Sequence, residues 1–180
     1  MTASERSRQS KKPVPASEQQ LRKIFRDSVL PEPDEAVGFL LWRTLLVYQR
    51  RAEEVLSEVG LTHLQFAVLA TAGSLALSSA EVIQRHIVKR SGIKESQVSL
   101  MIKALRVKGM LLQESGMHDP RVRAIRLTEH GARALESAIP LINAAQNELW
   151  PTRTMQHETA KILMEALRRW DVSTFAIDRE

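Results

Sequence analysis

The stretch IKESQVSLMIKALRVKG, residues 93–109, carries the pattern that decides the fold of this chain. Val98, Ile102 and Leu105 recur at the spacing of an amphipathic helix, so they predict one face that packs against a core. The other faces carry polar and charged side chains that a partner could contact. Gly92 stands where the preceding helix would end in a left-handed residue, which leaves only a short turn between two helices. This order is typical of a helix-turn-helix pair.

After Gly109, which would end the second helix, the pattern changes from helical to extended. Residues 110–114 predict a short strand, residues 115–120 a turn, and residues 121–127 a second strand. Two strands joined by a polar tip form a β-hairpin wing. Thr128 can then cap a new helix, because its hydroxyl accepts a hydrogen bond from a free amide of the first turn. The second strand carries Arg121, Arg123 and Arg126.

These residues resemble the MarR family of bacterial transcription regulators. The resemblance rests on QVSLMIKALRVKGML, residues 97–111, followed by DPRVRAIRLTEHG, residues 119–131. The second segment matches the family's wing pattern of Asp, any residue, Arg, then Leu-Thr and a Gly three residues later. The resemblance covers roughly residues 34–170. It implies a mainly α-helical fold with a small β-hairpin wing, in which a winged helix-turn-helix domain is joined to a helical dimerisation layer from both termini.

Two positions near this pattern bear on DNA binding. Leu100 departs from the family, which commonly has a basic residue at this position of the recognition helix. A leucine cannot hold a phosphate, so base contacts would be sparse and the wing and N-terminal arm would supply more of the affinity. Asp119 follows the pattern. It lies two residues before Arg121 and can brace that guanidinium with a charge-assisted hydrogen bond, as the resemblance also implies.

Positive charge is concentrated in two segments of the chain, whose net charge at pH 7 is +5. Residues 89–129 hold nine Lys or Arg and four acidic residues, and residues 1–26 hold seven and two. Each segment therefore carries as much net charge as the whole chain, and the remainder is acidic. A basic stripe on the helix-turn-helix and wing is the electrostatic pattern expected of a DNA-binding protein. An ordinary solvated face is the alternative explanation of these charges.

The composition excludes several classes of function. The chain has no cysteine, so disulfides, thiolate catalysis and cysteine-ligated zinc are impossible. The five histidines lack the spacing of a helical zinc motif, and the sequence has no nucleophile elbow and no Gly-rich phosphate loop. We therefore expect no metal, no cofactor and no enzymatic activity. No apolar run is long enough to span a membrane and the first residues are polar, so we expect a cytoplasmic protein.

The patterns divide the chain into five segments. Residues 1–16 form a basic N-terminal arm with too few large apolar residues to order itself. The arm could lie along DNA phosphates or be a simple disordered tail. The other segments are N-terminal dimerisation helices at residues 17–60, the winged helix-turn-helix domain at 61–128, C-terminal dimerisation helices at 129–170, and a tail at 171–180.

Capping patterns predict where several helices begin. The pairs with the form of a capping box are Ser17 with Gln20, Thr62 with Gln65, and Ser78 with Glu81. The last pair predicts a helix over residues 79–91. Pro140 falls inside the helix that follows Thr128 and predicts a kink there, because its ring removes a backbone donor.

A broad apolar stripe marks the predicted helix that starts near Asp34 and stops at Gly60. Its members at helical spacing include Val37, Leu41, Leu45, Tyr48, Ala52, Val55 and Val59. One small neighbour cannot cover a stripe of this width, so we predict a homodimer interface that the two C-terminal helices also join.

The predicted DNA contacts lie on the second helix of the pair and on the wing. The candidates for base edges are Ser96, Gln97 and Ser99, and Gln97 could make a bidentate pair with adenine. Lys103 and Arg106 lie farther along the helix and are expected to hold phosphates. Arg121 and Arg123 could enter a narrow minor groove. A dimer would place its helices in successive major grooves about 34 Å apart, so the site would be an inverted repeat.

Relatives in the family often bind a small aromatic or phenolic ligand between the dimer helices and the DNA-binding domain, and the resemblance implies such an effector here. The candidate lining residues are Trp42, Leu45, Tyr48, His63 and Phe66. An ordinary core that contains a hydrogen-bonded histidine accounts for the same residues.

A winged helix that binds a protein and no longer binds DNA is the alternative function, and Leu100 leaves this alternative open. Binding to random duplex separates the two, because a DNA-binding regulator loses affinity steeply as salt is raised. The sequence specifies neither the operator nor whether genes are repressed or activated.

Overall fold

The computed structural model of the protein describes residues 14–26, 36–79, 81–116 and 121–170. These residues form seven α-helices and a two-stranded antiparallel sheet. The mainly α-helical fold with a β-hairpin wing that the sequence predicts is therefore confirmed. The elements in chain order are α1 Glu18–Arg26, α2 Val37–Ser57, α3 His63–Ala76, α4 Gln84–Ser91, α5 Glu95–Val107, β1 Leu111–Ser115, β2 Arg123–Leu127, α6 Glu129–Leu149 and α7 Arg153–Trp170.

The chain divides into two compact units, Met1–Thr44 and Leu45–Glu180, with the boundary inside α2. In the first unit, the predicted capping box begins α1. The Gln20 amide donates to Ser17 Oγ at 3.2 Å, and the Ser17 amide donates to Gln20 Oε1 at 2.8 Å. None of the described side chains in this unit is buried.

The core of the second unit is centred on α3, which contacts α4, α5, α6 and β2. Val68 and Leu69 of α3 are fully buried and belong to one cluster with Ile87 of α4 and with Val98 and Leu105 of α5. Each such side chain stabilises the fold by roughly 1.5–3 kcal/mol relative to an exposed one. The end of α2 and the middle of α6 add Ala52, Val55, Leu56, Ala138, Ile142 and Ala145.

The helix-turn-helix follows from the two glycines that end its helices. Gly92 has a φ of 69° and Gly109 a φ of 68°, so both adopt the left-handed conformation that other residues rarely take. The amide of Gly92 closes α4 on the Val88 carbonyl at 3.0 Å. The amide of Met110 donates to the Leu105 carbonyl at 2.9 Å, and β1 begins at the next residue.

The wing is a regular antiparallel hairpin. Leu111 pairs with Leu127 at its base and Ser115 pairs with Arg123 toward its tip. The two strands are those predicted from the sequence, within two residues at each end. The tip, residues 117–120, lies outside the described residues.

The prediction of a helix over residues 79–91 is wrong in its first part. Helix α4 begins only at Gln84, and its N-cap Ile83 makes no side-chain cap. Val82 and Ile83 are extended instead: Ile83 bridges β2, and the Ile125 amide donates to the Val82 carbonyl at 2.7 Å. β-Branched residues suit a strand, so this long-range pairing prevails over the local capping pattern.

The other predicted caps are confirmed. Thr62 and Gln65 form a complete capping box at the start of α3. At the start of α6, Thr128 Oγ1 accepts a hydrogen bond from the Gly131 amide at 2.9 Å. Helix α6 continues through Pro140. The proline has no backbone N–H to donate, but it does not end the helix.

Helix α6 is tied to α2, whereas α7 has few contacts. Arg51 of α2 donates to both carboxylate oxygens of Glu148 on α6, at 2.9 and 2.7 Å, which lowers the pKa of that carboxyl group. In α7, none of the described side chains is buried, and Met155, Ile162 and Leu167 are exposed. Among the described helices, none combines the length and apolarity needed to cross a membrane.

Candidate nucleic-acid interface

Helix α5 is held by one face and open on the other. Val98, Ile102 and Leu105 are each at most 2% exposed, so the core fixes the position of the helix. All five sites on this helix that the sequence predicts to contact DNA lie outside that buried face. A partner that approaches the open side therefore meets polar side chains on a rigid support. The exposed residues of α5 are Glu95, Ser96, Gln97, Ser99, Leu100, Lys103, Arg106 and Val107.

The two cations predicted to hold phosphates have different surroundings. Arg106 donates to Gln113 Oε1 on β1 at 3.0 Å, so its guanidinium helps to join the helix to the wing. Arginine has five N–H donors, and most of them remain for another acceptor. Lys103 makes no hydrogen bond or ion pair with any described residue, so its ammonium group is the more accessible of the two.

The three arginines of the wing have different surroundings. Arg126 forms an ion pair with Glu114 across the hairpin at 3.3 Å, which neutralises its charge locally. Arg123 is exposed at the end of β2 toward the tip, and Arg121 is exposed in the turn before that strand. Asp119 lies outside the described residues, so its predicted bond to Arg121 stays a prediction.

A contact that the sequence does not predict joins the end of α5 to the turn between α2 and α3. Lys108 Nζ donates to the Gly60 carbonyl at 2.6 Å and to Gln65 Oε1 at 2.7 Å. Gln65 is buried, and the same oxygen accepts the Thr62 amide at 3.3 Å. Residues more than forty positions apart share these bonds, and no local pattern links them. The contact fixes the C-terminal end of α5 to the turn that follows α2.

An open crevice of about 1150 Å³ lies among α2, α3 and the turn before α5. Leu45 and His63, two of the predicted ligand contacts, line it together with Gln97 of α5. Partial burial lowers the pKa of His63, because the imidazolium loses water, and the nearby Glu53 carboxylate opposes part of this effect. The remaining lining residues are Leu46, Gln49, Arg50, Glu53, Leu64, Ala67, Ala70, Thr71, Ser91, Gly92 and Ile93.

The other three predicted ligand contacts lie elsewhere. The Tyr48 ring meets His63 edge-on, with 5.4 Å between ring centroids, and lies 6.4 Å from the Trp150 ring. Tyr48 and Phe66 pack against the core rather than along the crevice. Burial raises the pKa of the Tyr48 phenol. Trp42 belongs to the first unit, where its ring is exposed and lies 6.1 Å from the Phe39 ring.

Metal chemistry has no candidate site in the part of the chain that the structure describes. No three His, Asp or Glu side chains come together there in a way that could hold an ion.

Comparison with known proteins relates the chain to transcriptional regulators. No protein-family model matches it. It is 26% identical over 136 residues to YdcH of Bacillus subtilis (strain 168), an HTH-type transcriptional regulator, and the match covers 76% of this chain and 92% of YdcH.

Solved structures share the fold. BpsR of Bordetella bronchiseptica, whose DNA binding is regulated by 6-hydroxynicotinic acid, superposes with a TM-score of 0.67 at 20% identity, covering 75% of this chain and 95% of BpsR. A mutant MarR from E. coli complexed with operator DNA gives a TM-score of 0.66 at 22% identity, covering 78% and 99%.

The sequence relative YdcH is a transcriptional regulator, the class of function that the sequence predicts for this chain. The resemblance to the MarR family extends to the fold: this chain shares the winged helix-turn-helix fold of MarR structures and is related in sequence to a bacterial HTH-type transcriptional regulator.

Proposed function

We propose that this chain is a homodimeric transcription regulator that binds an inverted repeat in double-stranded DNA. The observation that carries the proposal is the division of α5 into a buried face and an open face that bears Gln97 and Lys103. A fold shared with a MarR protein on its operator and a sequence related to YdcH support the same function.

In this proposal α5 enters the major groove and the wing lies along the neighbouring minor groove. Ser96, Gln97 and Ser99 contact base edges near the start of the helix, where recognition helices read DNA. Lys103 holds a phosphate. Arg121 and Arg123 of the wing enter the minor groove, whose negative potential attracts a guanidinium.

A second copy of the chain covers the apolar side chains that this copy leaves in water. Exposed apolar surface of this extent is typical of an interface, and burying it would contribute about 25 cal/mol per Å². The two ends of the chain both carry such surface, and an inverted repeat requires a twofold dimer. The exposed apolar residues concerned are Leu21, Ile24, Val37, Leu41, Trp42, Leu45, Leu46, Ile162, Leu163, Met164 and Leu167.

A small aromatic ligand in the crevice would regulate this binding. Its walls offer apolar surface from Leu45 and Leu64 and polar contacts from Arg50 and His63. Because Gln97 also lines the crevice, a bound ligand would contact α5 and could favour one position of the helix over another.

Mobility shift at increasing salt tests DNA binding. The logarithm of the binding constant should fall linearly with the logarithm of the salt concentration, with a slope of about −0.9 for each phosphate neutralised. Arg123→Ala should weaken binding to all sequences and make the slope shallower by about two, since each copy of the dimer loses one cation. Arg169→Ala on α7 removes an exposed arginine far along the chain and should leave the slope unchanged.

Selection of duplexes from a random pool tests specificity. The wild-type protein should enrich an inverted repeat, and Gln97→Ala should lose preference at one position of each half-site. A pool that stays random, or binding without salt dependence, would instead support the alternative function, a winged helix that binds a protein and no longer binds DNA.

Sedimentation velocity tests the dimer. Ile162→Glu places a charge in the proposed interface and should produce monomers. Leu77→Glu is the matched control, because Leu77 is exposed outside the terminal helices and its replacement should leave the dimer intact. A monomeric wild-type protein at micromolar concentration would contradict the homodimer.

Thermal unfolding with a panel of aromatic acids and phenols, beginning with 6-hydroxynicotinic acid, tests the effector. A ligand of the folded state at a hundred times its Kd stabilises by about 2.7 kcal/mol. Arg50→Ala should weaken that effect, and a panel without any stabilising compound would contradict an aromatic effector.

A further inference from the structure

Leu100 is an exposed leucine in the middle of the open face of α5. Its side chain is 61% exposed and lies outside the hydrophobic core cluster. At about 100° per residue, Leu100 is turned away from Val98, Ile102 and Leu105, which form the buried face. The fold therefore does not use Leu100 for its stability.

The neighbours of Leu100 are the side chains proposed to contact DNA. Ser96 precedes it by one helical turn and Lys103 follows it by one turn, so the three share a face. Glu95, whose negative charge would oppose a phosphate, lies nearer the buried side of the helix. A partner held by Ser96 and Lys103 must therefore also meet the Leu100 side chain.

Resting on the proposed function, we propose that Leu100 is a specificity-determining residue that contacts the 5-methyl group of a thymine in the major groove. Leucine has no donor or acceptor for base edges, so it cannot recognise the polar patterns of adenine, guanine or cytosine. The thymine methyl is the one apolar group that an ordinary base pair presents in this groove. Contact with it removes apolar surface from water on both sides.

Thymine analogues isolate this contact, since deoxyuridine lacks only the methyl group. Duplexes are first selected from a random pool with the wild-type protein, and each thymine of the enriched half-site is then replaced by deoxyuridine in both halves. Wild-type affinity should fall at one position by about fourfold for each methyl, and by about fifteenfold for the whole site. Leu100→Ala should bind the two duplexes with equal affinity, as a double-mutant cycle requires of two groups in contact.

Val107→Ala is the matched control. Val107 is another exposed apolar residue of α5, two turns nearer the C-terminus, and its replacement should preserve the preference for thymine. Leu100→Ala should unfold at the wild-type temperature, because its side chain is outside the core.

The outcomes separate this inference from the proposed function. Wild-type protein that enriches an inverted repeat but binds thymine and deoxyuridine duplexes equally at every position overturns the role of Leu100 alone. Retained discrimination in Leu100→Ala does the same. A pool that stays random removes both the inference and the proposed function.

Discussion

The winged helix-turn-helix domain, from α3 to β2, and the terminal helices α1 and α7 are built from similar amphipathic patterns but bury them differently. In the domain, Leu69 and Leu105 are fully buried. In α7, Ile162 is 69% exposed, and no described side chain of α1 or α7 is buried. The domain covers its apolar face within one chain, whereas no described side chain of the terminal helices is buried.

A helical sequence pattern therefore identifies the apolar face of a helix, but it does not identify the partner that covers this face. The stripe on α5 and the stripe on α7 both predict helices, and both helices form. Only the position of α3 behind α5 decides that the first stripe is core. Substitutions that compare the two regions therefore test where the stability of the chain resides.

The largest effect is expected from Leu105→Ala in the domain. The substitution leaves a cavity beside Ile102 and Val98, and the free energy of unfolding should fall by about 3 kcal/mol. Urea denaturation measures it, and the loss should not depend on protein concentration. On α7, Leu163→Ala should change the unfolding of the monomer by less than about 0.5 kcal/mol. Any larger effect there should shrink with dilution, because it reports association and is lost once the chain is monomeric. Equal losses at both sites would contradict the comparison.

A glycine pair gives the next largest contrast. A Cβ on Gly131, in the first turn of α6, would collide with the carbonyl oxygen of Met110, which lies between α5 and β1. Gly131→Ala should therefore cost about 2 kcal/mol by overpacking. Gly38 in α2 has open space around its Cα, so Gly38→Ala should raise stability by up to about 1 kcal/mol through helix propensity. Differential scanning calorimetry of both variants measures the contrast, which a stabilised Gly131→Ala would contradict.

Substitutions of Lys108 and Arg22 compare the stability that a long-range hydrogen bond contributes with that of a local ion pair. Lys108→Met removes the ammonium group from the Gly60 carbonyl and the buried Gln65, and should cost about 1 kcal/mol. On α1, Arg22→Met removes an exposed ion pair to Glu18 and should cost less than about 0.5 kcal/mol. Hydrogen exchange at the end of α5 should increase in the first variant only. Unchanged exchange there would show that the bond does not hold the helix.

Local rules predicted much of this fold, because they depend on residues within one turn. The buried face of α5, the cap at Thr128 and the left-handed Gly92 all follow from such neighbours. The extended backbone at Val82 was missed, since its partner strand lies more than forty residues away. The bonds of Lys108 were missed for the same reason. The DNA contacts and the dimer stay predictions, because they depend on molecules outside the chain.

The smallest expected effect concerns His63, whose imidazole is half-buried beside Tyr48. Burial lowers the pKa of His63, whereas in the unfolded chain the group titrates near its ordinary value of about 6.5. As the pH falls through 6.5, the unfolded state binds the proton first, so the free energy of unfolding should decrease until the folded pKa is passed.

The substitution His63→Gln should reduce this decrease between pH 7.5 and 5. Urea denaturation at each pH measures the free energy of unfolding. NMR titration provides an independent check, because the imidazole resonance that disappears in His63→Gln should titrate below pH 6.5. A resonance that titrates above that value would mean that Glu53, rather than burial, dominates at His63, and stability would then increase as the pH falls.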